Sequence, residues 1–215
     1  MTMILIRTNH DPPTSYMYHW SDLVIAEAEK RNFEVIRIEN DGLTRENIYK
    51  RIKKHQPKFI FLNGHGGDGM FLNKGTVLID TTDVIQHKIL SQTITYSRSC
   101  DCLSGMGKVA VQNGCKAFVG YKKKFWFVRL HEYETRPLKD PIATPLLEAS
   151  NIIAISLLKG KTVKDAVNDS HEYAVKKILE LIYSSDPWAT MALQPLVVND
   201  RLLAYEGNPD AKLRE

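Results

Sequence analysis

Cysteine is scarce in this chain: Cys100, Cys102 and Cys115 are the three among 215 residues. An odd, low count excludes a scaffold built on disulfides and points to reduced thiols in a cytoplasm-like compartment. The opening residues 1–7 lack a basic leader ahead of a long apolar region, so they read as a first strand rather than a signal peptide. No apolar run reaches the roughly 18 to 20 residues that a membrane-spanning helix requires, so no membrane partner is expected. Concentrated charge is missing too. The 29 basic residues are interleaved with 25 acidic ones for a net charge of +4. The one basic run, Lys122-Lys123-Lys124, reads as a solvated turn, and a nucleic-acid partner is not expected. There is no internal repeat and no low-complexity tract. With 43% hydrophobic residues, the length suits one domain over 1–215 with a substantial core.

What is present is an alternation of strand and helix patterns. Strands are expected over 3–7, 33–38, 59–62, 93–99 and 115–121, with a further one over 125–130. Between them, helices are expected over 21–31, over 44–55 behind a Thr44 cap, over 83–90 and over 105–113. Residues 9–20 read as a long loop after the first strand. Two long helices follow, over 141–158 and 163–183, the second opened by a capping box at Thr162-Val163-Lys164-Asp165. Residues 196–198 and 202–205 around Asn199-Asp200 look like a late hairpin. Strands separated by helices of this length indicate an α/β fold, a three-layer sandwich with a mostly parallel sheet and helices on both faces.

In such a sheet the catalytic groups collect at the carboxyl ends of the strands. His65 stands just past the third strand, in Asn63-Gly64-His65-Gly66-Gly67-Asp68-Gly69, where the glycines allow close approach of backbone and ligand. Cys100 and Cys102 stand where the fourth strand runs out, in Arg98-Ser99-Cys100-Asp101-Cys102-Leu103-Ser104-Gly105. An imidazole or a helix amino terminus near a thiol favours the thiolate, and backbone N–H groups beside both residues can face a developing oxyanion. Cys100-x-Cys102 has no second pair to complete a structural zinc site, and no metal is expected in the chemistry. The glycine-rich stretch 64–69 lacks the Gly-Lys-Ser/Thr ending of a phosphate loop. His10, His19 and His131 have no motif around them and read as surface or boundary residues. Asp11, Asp68 and Asp101 read as loop acids that could line a specificity pocket.

Gly64-His65-Gly66-Gly67 after one strand and Cys102-Leu103-Ser104-Gly105 after a later one resemble the motifs of the caspase-like cysteine peptidases, the group of caspases, metacaspases and CHAT domains. Residues 114–121 and 140–149 are similar to segments of CHAT-like members, and the resemblance extends over about residues 1–180. It implies a caspase-like fold and a cysteine endopeptidase that works without a cofactor on a protein or peptide substrate, with a regulatory protein partner as one means of control. Carried over by position, it implies His65 as general base and Cys102 as nucleophile, with the N–H groups of Gly66 and Cys102 as the oxyanion hole. Cys100 competes for the nucleophile role, although Cys102 fits the Cys-x-Ser-Gly motif better. Metacaspases carry an acid two residues before the nucleophile; here that position is Cys100, and Asp101 stands one before. Asp101 and Arg98 are the expected substrate-binding residues. In an extended strand Arg98 would project to the same side as Cys100 and Cys102, which favours an acidic substrate residue. Two rivals accompany this reading: a non-catalytic scaffold domain of the same fold, and another cysteine amidohydrolase. For the latter, the usual Gly-x-Cys-x-Gly elbow is missing.

Overall fold

The computed structural model of the chain describes residues 1–214. Six strands form one sheet. In spatial order they are β2 (Glu34–Ile38), β1 (Thr2–Arg7), β3 (Phe59–Asn63), β7 (Ile94–Arg98), β8 (Ala117–Tyr121) and β9 (Leu203–Gly207). The first five run parallel, and β9 closes the sheet antiparallel to β8. β1, β3 and β8 are largely apolar on both faces, β7 carries Thr95 and Ser97 on one, and all four are almost wholly buried, as a parallel sheet covered by helices demands. The expected three-layer α/β architecture is therefore the observed one.

Alternate side chains sort into two cores. Met3, Leu5, Phe59, Phe61, Ile94 and Tyr96 meet α1 (Pro12–Lys30) and α5 (Ala143–Leu158) on one face. On the other face Ile4, Ile6, Ile60 and Leu62 meet α2 (Arg45–His55), α3 (Thr81–His87) and α4 (Lys108–Gln112). Helix α6 (Val163–Ile182), behind the expected Thr162 cap, packs outside α5.

Three expectations fail and one sheet was not foreseen, each for a local physical reason. Helix α1 begins at Pro12, not near residue 21. Asp11 is its N-cap, accepting the Thr14 N–H at 2.9 Å, while the Thr14 hydroxyl oxygen accepts the Asp11 N–H at 3.1 Å. Pro12 and Pro13 fill the first turn, where a missing N–H does no harm. The late hairpin is instead α7 (Ala189–Leu202) followed by β9. Ala189, Ala192, Leu196 and Asn199 are its buried stripe, at helical spacing, and Pro195 is carried inside the helix. Residues 125–130 form no strand. The Asn199 side chain holds that segment in place of a ladder, accepting the Trp126 N–H at 2.7 Å and donating to its carbonyl at 2.8 Å. Finally, a small antiparallel sheet of β4 (His65–Gly67), β5 (Met70–Asn73) and β6 (Thr76–Asp80) sits at the carboxyl end of β3. None of its strands was legible, because β4 is mostly glycine and all three are short.

Candidate active site at the strand tips

β3 and β7 are neighbours, with Asn63 opposite Arg98. Phe59 and Phe61 point into the α1/α5 layer, as do Ile94 and Tyr96. Asn63 and Arg98 follow them there and both bond the Met17 carbonyl of α1. Two residues further along each strand stand His65 and Cys100. His65 Nε2 lies 2.6 Å from Oδ2 of Asp11, the cap of α1, so the ring is in that same layer. Cys100 packs, partly buried, against the same apolar cluster. Neighbouring strands are about 4.8 Å apart, so the segments that carry His65 and Cys100 leave the sheet from adjacent strand ends.

Gly66 faces the opposite way. A Cβ there would stand 2.5 Å from the Cys100 carbonyl oxygen and 2.9 Å from Cys102 Sγ, so only glycine lets the two strand tips close together. The contact is reinforced by the Gly64 N–H, which donates to the Arg98 carbonyl at 3.3 Å.

Between the two cysteines the extended pattern breaks. β7 ends at Arg98, and Asp101 adopts a left-handed conformation with φ of 57°. Its N–H is fixed to the Lys123 carbonyl at 3.1 Å. This turn sends Cys102 into the other layer, against Phe71, Leu103 and Met106. There its sulfur accepts the Ser99 hydroxyl at 2.8 Å and its thiol donates to the Met70 carbonyl at 3.4 Å. The side chain has 0% exposure, and burial pushes the thiol up to about 11. Cys102, expected as nucleophile from its motif, is thus a fully buried thiol packed beside Gly66 in the α2/α3/α4 layer. Cys100 is the partly buried thiol, packed against the α1/α5 layer. Burial raises its pKa as well. Cys115, two residues before β8, is a core thiol as expected.

Arg98 is also displaced from its expected role. Its guanidinium is fully buried and donates to Asn63 Oδ1 at 2.7 Å, Asn151 Oδ1 at 2.8 Å and the Met17 carbonyl at 2.9 Å. Burial with no carboxylate partner lowers its pKa to about 10. It clamps α1 and α5 to the sheet and does not face the cleft. Asp101 remains at the turn, partly exposed.

The first-strand loop supplies what the sequence reading missed. Asp11 is drawn down to about 2: burial works against this, but the Thr14 hydroxyl and N–H and the His65 imidazole outweigh it. His10 adds a second ring 5.3 Å from that of His65, and burial lowers its pKa. Asp11-Pro12-Pro13-Thr14 was the available signal, since an acid before two prolines and a threonine is a helix start. A cavity of about 330 Å³ opens beside these residues, lined also by Tyr16 and Glu134. A larger one of about 650 Å³ lies at the opposite, amino-terminal end of the strands, by Lys58 and Thr93. No described helix is long and apolar enough to cross a membrane. The chain matches no protein-family model, and no curated protein shows significant similarity to it.

Proposed function

We propose that this chain is a caspase-like cysteine endopeptidase of the cytoplasm in which Cys100 is the nucleophile, His65 the general base and Asp11 the group that orients His65. The observation that carries the reading is that His65 and Cys100 each stand two residues past Asn63 and Arg98, which are paired on the adjacent strands β3 and β7, with Cys100 packed against the α1/α5 core. Asp11, ionised and capped, accepts the Nε2–H of His65. That selects the tautomer whose Nδ1 carries the lone pair, the one able to take a proton. The raised pKa of Cys100 keeps its thiol protonated at neutral pH. His65 therefore works by removing the proton as sulfur attacks the peptide carbonyl carbon. The tetrahedral intermediate collapses with loss of the amine, which takes the proton back from His65. Water then hydrolyses the thioester, with His65 again as base, and frees the thiol. Gly66 lies tight against the Cys100 carbonyl, and its N–H is the donor assigned to the oxyanion. Partly exposed Asp101 remains the residue assigned to the substrate's side chain.

The test is labelling with a peptidyl electrophile directed at thiols, read by mass spectrometry, together with turnover of a positional-scanning peptide library. Modification at Cys100 and loss of turnover in Cys100→Ala and His65→Ala, with Cys102→Ala still active, is the expected result. Turnover that survives Cys100→Ala would sink the assignment. A non-catalytic scaffold is the second reading, favoured by the burial that raises both thiols. It predicts no labelling and no turnover with any peptide of the library.

A further inference from the structure

His10, Asp11 and His65 bring three metal-ligating side chains to one point, each offering an atom within 4.8 Å of the other two. We propose that they form a site for one zinc-type divalent cation, held by the two imidazoles and Asp11 Oδ2, with a fourth position left open. Ligand atoms about 2.1 Å from a tetrahedral ion stand about 3.3 Å apart. The pairs here bracket that spacing: 2.6 Å from His65 Nε2 to Asp11 Oδ2, and 3.6 Å from His10 Nε2 to the same oxygen. Two imidazoles and one carboxylate are a donor set that suits zinc and its neighbours better than calcium or magnesium.

The carboxylate is already aimed. Asp11 Oδ1 is engaged by the Thr14 N–H at 2.9 Å and by its hydroxyl at 2.6 Å, which leaves Oδ2 turned to both rings. Outer hydrogen bonds of this kind fix ligands around metals. His10 is held only loosely by hydrogen bonds. Its ring has the Asn73 side chain as a hydrogen-bonding neighbour, its Nδ1 is buried without a close partner, and its Nε2 is too far from Asp11 for a hydrogen bond. The ring is nonetheless placed against His65, its backbone N–H pinned to the Thr14 hydroxyl oxygen at 3.0 Å. A proton shared between His65 and Asp11 uses two of the three groups; a cation uses all three.

The site depends on neither thiol and stands apart from the peptidase reading. One consequence does rest on that reading: an ion on His65 Nε2 moves the ring proton to Nδ1, so the metal-bound imidazole can no longer act as base toward Cys100.

Binding is measured on the full chain, reduced and stripped with chelator, by titrating zinc against a chromophoric competitor and cobalt by its visible spectrum. One equivalent is expected, with tetrahedral cobalt bands that persist in Cys100→Ser and Cys102→Ser. Loss of one ligand in His10→Ala, or in the milder His10→Gln, should weaken binding by at least about 10-fold. Circular dichroism and melting establish that each variant is folded. Absence of a one-equivalent site, or zinc affinity unchanged in folded His10→Gln, overturns the proposal. So does a thiolate charge-transfer band that disappears in Cys100→Ser. None of these readouts needs a substrate, so failure here and failure of the peptidase assignment are seen separately.

Discussion

Arg98 is the residue on which a binding role and a structural role part most cleanly. With its three carbonyl partners from β3, α5 and α1, it is a buried cation satisfied without a counterion. Arg98→Ala strands the Asn63 and Asn151 oxygens in the interior, at about 1–3 kcal/mol each when unsatisfied, while the Met17 carbonyl keeps its bond from Asn63. The expected outcome is a fall in unfolding free energy of at least about 2 kcal/mol in urea titration. A variant with unchanged stability but altered substrate preference would contradict this. The two cysteines give a second prediction. Iodoacetamide should modify Cys100 in the native protein and reach Cys102 only on unfolding, because the latter is sealed beneath Ser99 and the Met70 carbonyl. Peptide mapping after timed labelling checks it. For Gly66→Ala, a methyl group 2.5 Å from the Cys100 carbonyl forces the strand tips apart. A loss of about 1–3 kcal/mol is expected from overpacking, read as a lowered melting temperature, together with loss of turnover.

At the scale of elements, the start of α1 does two jobs, capping a 19-residue helix and holding His65. The Asp11 carboxyl lies at about 2 in the folded chain against 3.8 ordinarily. A depressed carboxylate stabilises the fold fully above the unfolded value and loses that contribution as pH falls through the folded one. The pH dependence attributable to Asp11 therefore falls between about pH 4 and pH 2. Asp11→Asn keeps a capping oxygen but removes the titration, so its stability should vary less than that of the parent across this window in pH-dependent urea unfolding. Legibility also divides along elements. β1, β3 and β8 were readable because an apolar run between turn residues has few other uses, and the more polar β7 by its β-branched and aromatic residues Ile94, Thr95 and Tyr96. The beginning of α1 was hidden because a stretch with two prolines looks like a loop until the cap is recognised. The two strand tips were located from glycine, histidine and cysteine, but the choice of thiol was not readable. It turns on the left-handed backbone at Asp101, which a non-glycine residue does not advertise.

On the scale of the whole molecule, one sheet serves both cores. Neither layer can lose its packing without exposing the other side of the same strands. The small β4–β6 sheet is joined to this body at its rim; Phe71, Leu78 and Ile79 anchor it in the second core, but β4 and β6 are both edge strands. Native-state hydrogen exchange should show the slowest amides at Ile4, Phe61 and Tyr96 in the three central strands and faster ones in β5 and β6. Equal protection in both sheets would count against this picture.

The turn at Asp101 leaves one more mark on the chemistry. Two sulfurs a single residue apart in sequence ordinarily make a redox couple, one oxidised and its neighbour closing the bridge. Here they belong to different layers, and a Cys100–Cys102 disulfide would have to drag one of them out of its packing. A sulfenic acid formed on the accessible member has no resolving partner beside it. Its repair depends on a thiol from outside, such as glutathione, and without one the oxidation runs on toward sulfinic acid.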